Sequence, residues 1–343
     1  MIPDLDFVVL TGFLGSGKTT LLRDFLQGPE AADTAVIVNE VGEIGLDGVI
    51  LRESGGDVRM AMLSNGCICC QMGSDLATTI ETLLAAERPA GAVPLRRIIL
   101  ETSGLSKPGP VLRQLTSLAE YRMRVSVVAT YDALRGTETT AFEEAAAQWG
   151  AANRIVLTKT DAVSPGRLAA ARAEIAGLNP LAETVITADR NAAVAAAFAQ
   201  LAAMGPMPEL PPVDNRTEHP RISVRLMRPR STLVYDDLAA WLDNLAGALG
   251  ERLLRLKGLV RITESDRPLL VQSVGTLFSP PRPISVDRDS ARPFLVVIAR
   301  DTQEQDLAAV APAGLFELAP LASSRSFRRT PTLARFSAEA LPD

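Results

Sequence analysis

No apolar run in this sequence reaches the roughly 18 residues that a membrane-spanning helix requires, so a cytoplasmic protein without a membrane partner is expected. The early apolar stretch Phe7–Leu14 lacks a basic leader and flows into a glycine motif, which does not read as a signal peptide. Basic charge is not in excess either. The 35 Lys and Arg residues face 40 Asp and Glu, a net charge of −5, and that balance excludes a basic nucleic-acid surface. Histidine is reduced to His219, which has no neighbours in sequence to form a site and is read as structural. Lysine is scarce: Lys18, Lys107, Lys159 and Lys257 stand against 31 arginines. A compact ammonium and a planar guanidinium are not interchangeable, so the surviving lysines mark positions to inspect. All 3 cysteines fall within Cys67-Ile68-Cys69-Cys70. With no thiol elsewhere to pair with, a disulfide framework is excluded, and metal or thiol chemistry in a reducing compartment is indicated.

What is present is enough chain for two domains. Strands are expected at Phe7–Leu10, Ala35–Val38, Ala61–Leu63, Ile98–Leu100, Val125–Ala129, Ile155–Leu157 and Val185–Thr187. Between them, helical spacing covers Thr19–Gln27, Asp75–Ala86, Pro110–Ser117, Thr139–Ala151, Pro165–Ala176 and Ala192–Ala203. Continuous apolar strands alternating with helices predict an α/β fold, a doubly wound, mainly parallel sheet over residues 1–204. Such sheets bind ligands at the carboxyl ends of their strands. Residues 205–220 read as a proline-stiffened linker, 221–322 as a smaller α+β domain, and 323–343 as a tail that frays. In the second domain, strands are expected at Ile222–Leu226, Gly258–Ile262, Leu269–Val274 and Phe294–Ala299, and helices at Asp236–Leu249 and Glu304–Val310. Lys257-Gly258 is read as the joint from helix to strand.

Gly12-Phe-Leu-Gly15-Ser16-Gly17-Lys18-Thr19 fits the phosphate-loop pattern G-x-x-x-x-G-K-[ST], with a strand before it and a helix after it. Successive backbone N–H groups and the helix N-terminus make an anion cradle. Lys18 is placed to reach the β- and γ-phosphates, Thr19 to offer its hydroxyl to Mg²⁺, and Thr20 to follow it in the cradle. The strand Ile98–Leu100 ends in Glu101, a carboxylate suited to Mg²⁺ directly or through water, and Gly104 lets backbone approach the γ-phosphate. Thr158-Lys159-Thr160-Asp161 ends a later strand and is similar to the [N/T]-K-x-D element that selects guanine. The Asp161 carboxylate can accept from guanine N1–H and its amine, and against adenine it would stay unpaired. The stem of Lys159 would cover the purine face.

Thiolates favour soft or borderline ions such as Zn²⁺, Co²⁺ or Cu⁺ over Mg²⁺. Cys67, Cys69 and Cys70 are one ligand short of a closed zinc site. Glu40 or Glu43, in the loop Asn39-Glu-Val-Gly-Glu-Ile-Gly-Leu-Asp47-Gly48, could supply the fourth. The alternative is a redox couple of Cys67 with Cys70. The same loop suits a segment that senses γ-phosphate and Mg²⁺. Asp47 is therefore a further Mg²⁺ candidate, and Glu40 joins Lys18 and Glu101 as a candidate catalytic residue.

Taken together, these motifs resemble the CobW-type P-loop GTPases, relatives of the hydrogenase and urease maturation GTPases. The resemblance runs through Thr11–Thr20, Asn39–Gly45, Asn65-Gly-Cys-Ile-Cys-Cys70, Glu101-Thr-Ser-Gly-Leu105 and Thr158–Asp161. More loosely, Leu254-Arg-Leu-Lys-Gly258 and Gln272-Ser-Val274 resemble the family's carboxyl-terminal domain. It implies slow GTP hydrolysis, with Zn²⁺ or Co²⁺ held at the cysteines and released to a client metalloprotein; a homodimer stays open. Many relatives carry histidine-rich stretches, and the single histidine here gives no support to metal storage. A GTP-gated metal sensor, or a cobalt-insertion factor in cobalamin synthesis, is the alternative. A P-loop small-molecule kinase would leave Asp161 and the cysteines unexplained.

Overall fold

The computed structural model describes residues 5–39, 59–63, 73–86, 94–201, 219–285, 293–310 and 315–319. In the first strand, β1 (Asp6–Gly12), Phe7, Val8, Val9 and Leu10 are all buried. Alternate side chains of such a strand meet a helical layer on each face of the sheet, which is why its apolar run is continuous. β2 (Thr34–Asn39), β3 (Arg59–Leu63), β4 (Arg97–Glu101), β5 (Arg124–Asp132), β6 (Arg154–Thr158) and β7 (Glu183–Val185) join it. They form a 7-stranded parallel sheet in the order β3-β2-β4-β1-β5-β6-β7. Because β1 lies between β4 and β5, the loops that follow these three strands leave the sheet side by side.

Around the sheet run α1 (Lys18–Leu26), α2 (Gly73–Ala85), α3 (Pro108–Gln114), α4 (Gly136–Thr139), α5 (Glu143–Ala151), α6 (Pro165–Leu178) and α7 (Arg190–Phe198). Val8 and Leu10 share a core with Leu22 and Phe25 of α1 and Phe198 of α7. Phe7 and Val9 look the other way, into a core with Ile80, Leu112 and Trp149. The single helix expected over Thr139–Ala151 is broken. The Thr139 hydroxyl donates to Gly136 O (2.8 Å), closing the short α4, and Phe142 is extended at φ −83°, ψ 129° as the cap of α5. The helix expected at Ala192–Ala203 begins earlier because the Asp189 carboxylate accepts from the Asn191 and Ala192 N–H groups at 2.9 and 3.1 Å, an N-cap.

The remaining strands are β8 (Ile222–Pro229), β9 (Leu253–Val260), β10 (Leu269–Val274), β11 (Leu277–Pro283), β12 (Phe294–Arg300) and β13 (Phe316–Ala319). They build a 6-stranded antiparallel sheet in the order β11-β10-β9-β12-β8-β13. One face carries α8 (Tyr235–Leu249) and α9 (Glu304–Val310), with Trp241 and Leu245 set on Leu256, Val271 and Val297. The other face shares its core with the first sheet's helices. Ile222, Val224, Val296 and Ile298 belong to the cluster that holds Trp149 of α5. Helix α5 thus lies between the two sheets.

Two departures from the sequence reading have clear causes. β11 carries prolines at an edge of its sheet, where a missing N–H costs no ladder bond. Lys257-Gly258 is no helix-to-strand joint: both residues lie inside the central strand β9. Gly258 is needed there because an added Cβ would come within 2.0 Å of Phe294 O on β12. Arg255 and Lys257, register partners of Ile298 and Val296, face the first domain and are 4% and 8% exposed. Desolvation pushes Arg255 down to about 10 and Lys257 down to about 8.

Gly258→Ala should cost about 3 kcal/mol or prevent folding, the upper end of overpacking, as read from urea unfolding. Lys257 gives a pH signature. The unfolded chain binds more protons at this lysine than the folded one between about pH 8 and 10.5, so stability rises with pH across that window. Lys257→Met should abolish a rise of up to about 3 kcal/mol, measured as the difference between wild-type and variant unfolding free energies at pH 8 and pH 10.

Candidate functional site

At the carboxyl end of β1 the backbone turns through left-handed conformations open to glycine. Gly15 has φ 69° and Gly17 φ 93°. At Gly12 (φ 145°) an added Cβ would fall 2.1 Å from the Thr130 hydroxyl. That close approach lets Thr130 Oγ1 meet Ser16 Oγ at 2.6 Å. From the other side the Thr158 hydroxyl donates to Ser16 O (2.8 Å) and to Tyr131 O (3.3 Å). The loop is therefore clamped from β5 and β6, with the N-terminus of α1 behind it. Lys18, 8% exposed, directs its ammonium to Gly12 O at 2.9 Å and Phe13 O at 3.3 Å. The charge is held inside the loop, where an anion would sit.

Thr19 begins the solvent-facing edge of this cradle. Its hydroxyl donates to Glu101 Oε1 at 2.6 Å. Glu101, on the end of β4, is 4% exposed. A hydroxyl and a buried carboxylate side by side are hard oxygen donors, the donor chemistry of Mg²⁺. After β4 the chain passes Thr102, whose N–H donates to Leu10 O (3.0 Å), and reaches Gly104. There an added Cβ would lie 2.8 Å from Leu14 N, so Gly104 abuts the phosphate-loop backbone.

The third edge comes from β5 and β6. Lys159 takes the left-handed conformation (φ 56°), donates to Gly15 O at 3.1 Å and pairs with Asp132, which is 4% exposed. Asp161 follows on the one-turn 3-10 helix Thr160–Ala162 with its side chain exposed. The turn is fixed by the Thr160 hydroxyl on Thr187 O (2.9 Å).

Gly12, Gly15, Ser16, Gly17, Lys18, Thr19, Glu101, Gly104, Thr158 and Lys159 are thus brought to one end of the sheet, with Thr20 next on α1 and Asp161 at the rim. Glu40, Glu43, Asp47, Cys67, Cys69 and Cys70 lie outside the described residues. Among the described residues no group of three or more His, Cys, Asp or Glu is arranged to hold a metal ion. Thr130, Asp132 and Gln148 are supporting residues that sequence reasoning missed. Asp132 had a signal, a carboxylate shortly after the apolar run Val125–Ala129; Thr130 and Gln148 had none. Lys107, unexplained by sequence, pairs with Glu143 at the start of α5. His219 bridges the domains as a structural residue: its Nε2 meets Thr140 O at 2.7 Å, and Nδ1 accepts from Arg221 N–H at 3.2 Å. No helix among the described residues is long and apolar enough to cross a membrane.

The chain has relatives among known proteins. The profile described as "CobW/HypB/UreG, nucleotide-binding domain" matches residues 6–186. That described as "Cobalamin synthesis protein cobW C-terminal domain" matches residues 222–310. The chain is 32% identical to the zinc chaperone CobW of Sinorhizobium sp, over 78% of this chain and 84% of that relative. It is 31% identical to the zinc chaperone CobW of Pseudomonas aeruginosa, over 90% of each. The zinc chaperone YjiA of Escherichia coli is 30% identical, over 79% of this chain and 86% of that relative. The crystal structure of Zn(II)-bound YjiA GTPase from E. coli superposes with a TM-score of 0.61 at 23% identity, over 90% of this chain and 98% of that one. That superposition supports the two-sheet fold.

Thr158→Val keeps the shape of the clamp and removes its hydrogen bonds. A loss of about 1 kcal/mol is expected, a several-fold weaker affinity for GDP in titration calorimetry with little change in melting temperature.

Proposed function

The chain belongs to the CobW/HypB/UreG family and carries the CobW C-terminal domain, and from that membership we propose a GTP-hydrolysing metallochaperone that carries zinc to a client metalloprotein. The observation that carries the reading is the contact of Thr19 with buried Glu101 at the mouth of a loop already holding the Lys18 ammonium. A phosphate cradle and a pair of hard oxygen donors in one place suit a magnesium nucleoside triphosphate. In this reading Lys18 contacts the β- and γ-phosphates, Thr19 and Glu101 hold Mg²⁺ with Asp47, and Glu40 assists hydrolysis. Mg²⁺ would supply charge neutralisation on the phosphates. Thr158, Lys159 and Asp161 take the base, Asp161 accepting from the guanine edge.

Zinc is the cargo, bound by Cys67, Cys69 and Cys70 with Glu40 or Glu43 as fourth ligand. Thiolate chemistry admits cobalt as well, and the names of the relatives put zinc first. A reducing cytoplasm keeps such thiols available. The receiver is a client metalloprotein, and a homodimer on GTP binding is the assembly that sedimentation with and without a GTP analogue would read.

Coupling between cargo and nucleotide is reciprocal: if GTP tightens zinc binding, zinc tightens GTP binding by the same factor. Zinc affinity, measured by competition with a chelating dye, should rise about 5- to 150-fold with a GTP analogue over GDP; equal affinities would overturn the nucleotide-gated carrier. Cys67→Ala combined with Cys69→Ala should abolish tight zinc binding while GDP affinity stays at the wild-type value.

A further inference from the structure

The loop after β4 is gripped from outside the nucleotide site by a single helix. Gln148 of α5 is fully buried, and its Nε2 donates to both Gly104 O (3.0 Å) and Ser106 O (2.9 Å). Gly104 in turn abuts the phosphate loop at Leu14. At the head of α5, the Phe142 ring packs on Phe13 of the phosphate loop with centroids 4.7 Å apart. The next residue, Glu143, pairs with Lys107 at the far end of the same loop. Residues 104–107 are therefore fixed to α5 at both ends.

The Glu143 carboxylate does not serve that loop alone. Arg221, before β8, reaches its second oxygen at 2.6 Å, and Arg300, at the end of β12, shares the first with Lys107. Asp301 completes the group by pairing with Arg221 at 2.7 Å. One carboxylate thus holds three cations, one from the nucleotide-facing loop and two from the second domain. Lys107 sits among the charges of Arg300, Glu144, Arg221 and Asp301, and burial together with the two arginines lowers its pKa. Without Glu143 the three cations would repel one another across a partly desolvated seam. Any displacement of β8 and β12 then changes the field that holds Lys107, and any displacement of Lys107 is felt by Arg221 and Arg300.

We propose that Gln148 and Glu143 of α5 position the Gly104–Lys107 loop for the bound nucleotide, and that Glu143 ties this position to the docking of the second domain. Gln148 is a positioning residue, acting through Gly104. The regulation so described rests on the GTPase reading above and extends it: nucleotide state is transmitted along α5 to the second sheet.

The test uses the full chain with Gln148→Met, which keeps volume and removes the two donated bonds, Glu143→Gln, which removes the charge, and Glu143→Asp as the conservative rescue. For Gln148→Met, kcat for GTP should fall about ten- to a hundredfold, with GDP affinity unchanged and a lower ratio of GTP-analogue to GDP affinity. Hydrogen exchange at residues 222–226 and 295–300 should differ between GDP and GTP-analogue states in the wild type. That difference should vanish in Glu143→Gln and return in Glu143→Asp. Wild-type values of kcat and of the affinity ratio in Gln148→Met would overturn the positioning role. A nucleotide-dependent exchange difference that survives Glu143→Gln, or that is absent from the wild type, would overturn the coupling. Should Gln148→Met fail to bind GDP through misfolding, Lys107→Met releases the same loop at its half-exposed end and is expected to lower the affinity ratio; an unchanged ratio there counts against the proposal. If the wild type turns over no GTP, the GTPase reading fails by itself, and the affinity ratio and exchange pattern still decide the inference.

Discussion

The contact of two backbones at Gly12 and Thr130 governs the rest of the site. These residues are register partners on β1 and β5, and the glycine lets the Thr130 hydroxyl occupy the space a side chain would fill. From there it reaches Ser16, while Thr158 holds the same residue from β6. The loop is thereby held from two strands, and the Lys18 ammonium donates to two of its carbonyls. Donors held in place in this way lower the ordering cost of binding an anion. The order β4-β1-β5-β6 then sets Thr19 and Glu101 on one side of the phosphate loop and the Thr160–Ala162 turn on the other.

The second domain is joined to this arrangement by more than its connecting chain. α5 contributes Trp149 to a core that includes Val224 and Ile298 of the second sheet, and its Trp149 indole N–H donates to Thr130 O at 3.1 Å. Between Gly12 and the second sheet there are two steps: Thr130, then α5. A helix in that position is packed on one side against residues that set the phosphate loop and on the other against an antiparallel sheet. Both domains thus take their hold on the same helix.

The parallel sheet and the phosphate loop were legible because each rests on local chemistry. Apolar runs such as Phe7–Leu10 and Ile98–Leu100 make strands wherever both faces are covered, and glycines at 12, 15 and 17 announce a backbone conformation. What escaped was fixed by distant partners. Gln148 reads as one more residue of an alanine-rich helix until Gly104 and Ser106 are brought to it from 44 and 42 positions away. Lys257-Gly258 looked like a helix stop because glycine commonly ends helices; its real cause, the approach of Phe294 on β12, exists only in the folded sheet. The break at Thr140–Phe142 similarly serves a ring contact with Phe13 that no local pattern announces. The four lysines stand at places that only the folded chain defines: Lys18 inside the phosphate loop, Lys159 paired with Asp132 beside the Thr160–Ala162 turn, and Lys107 and Lys257 at the junction of the domains.

Arg255 and Lys257 give the seam between the domains an unusual energetic character. Both cations are turned toward the first domain and removed from water, alongside apolar neighbours that favour contact. Parting the two surfaces would expose apolar area and take both cations away from the Glu183 carboxylate at a cost, and would at the same time return two desolvated charges to solvent. The second gain offsets part of the first cost. The adhesion of the domains is therefore weaker than their apolar contact alone implies.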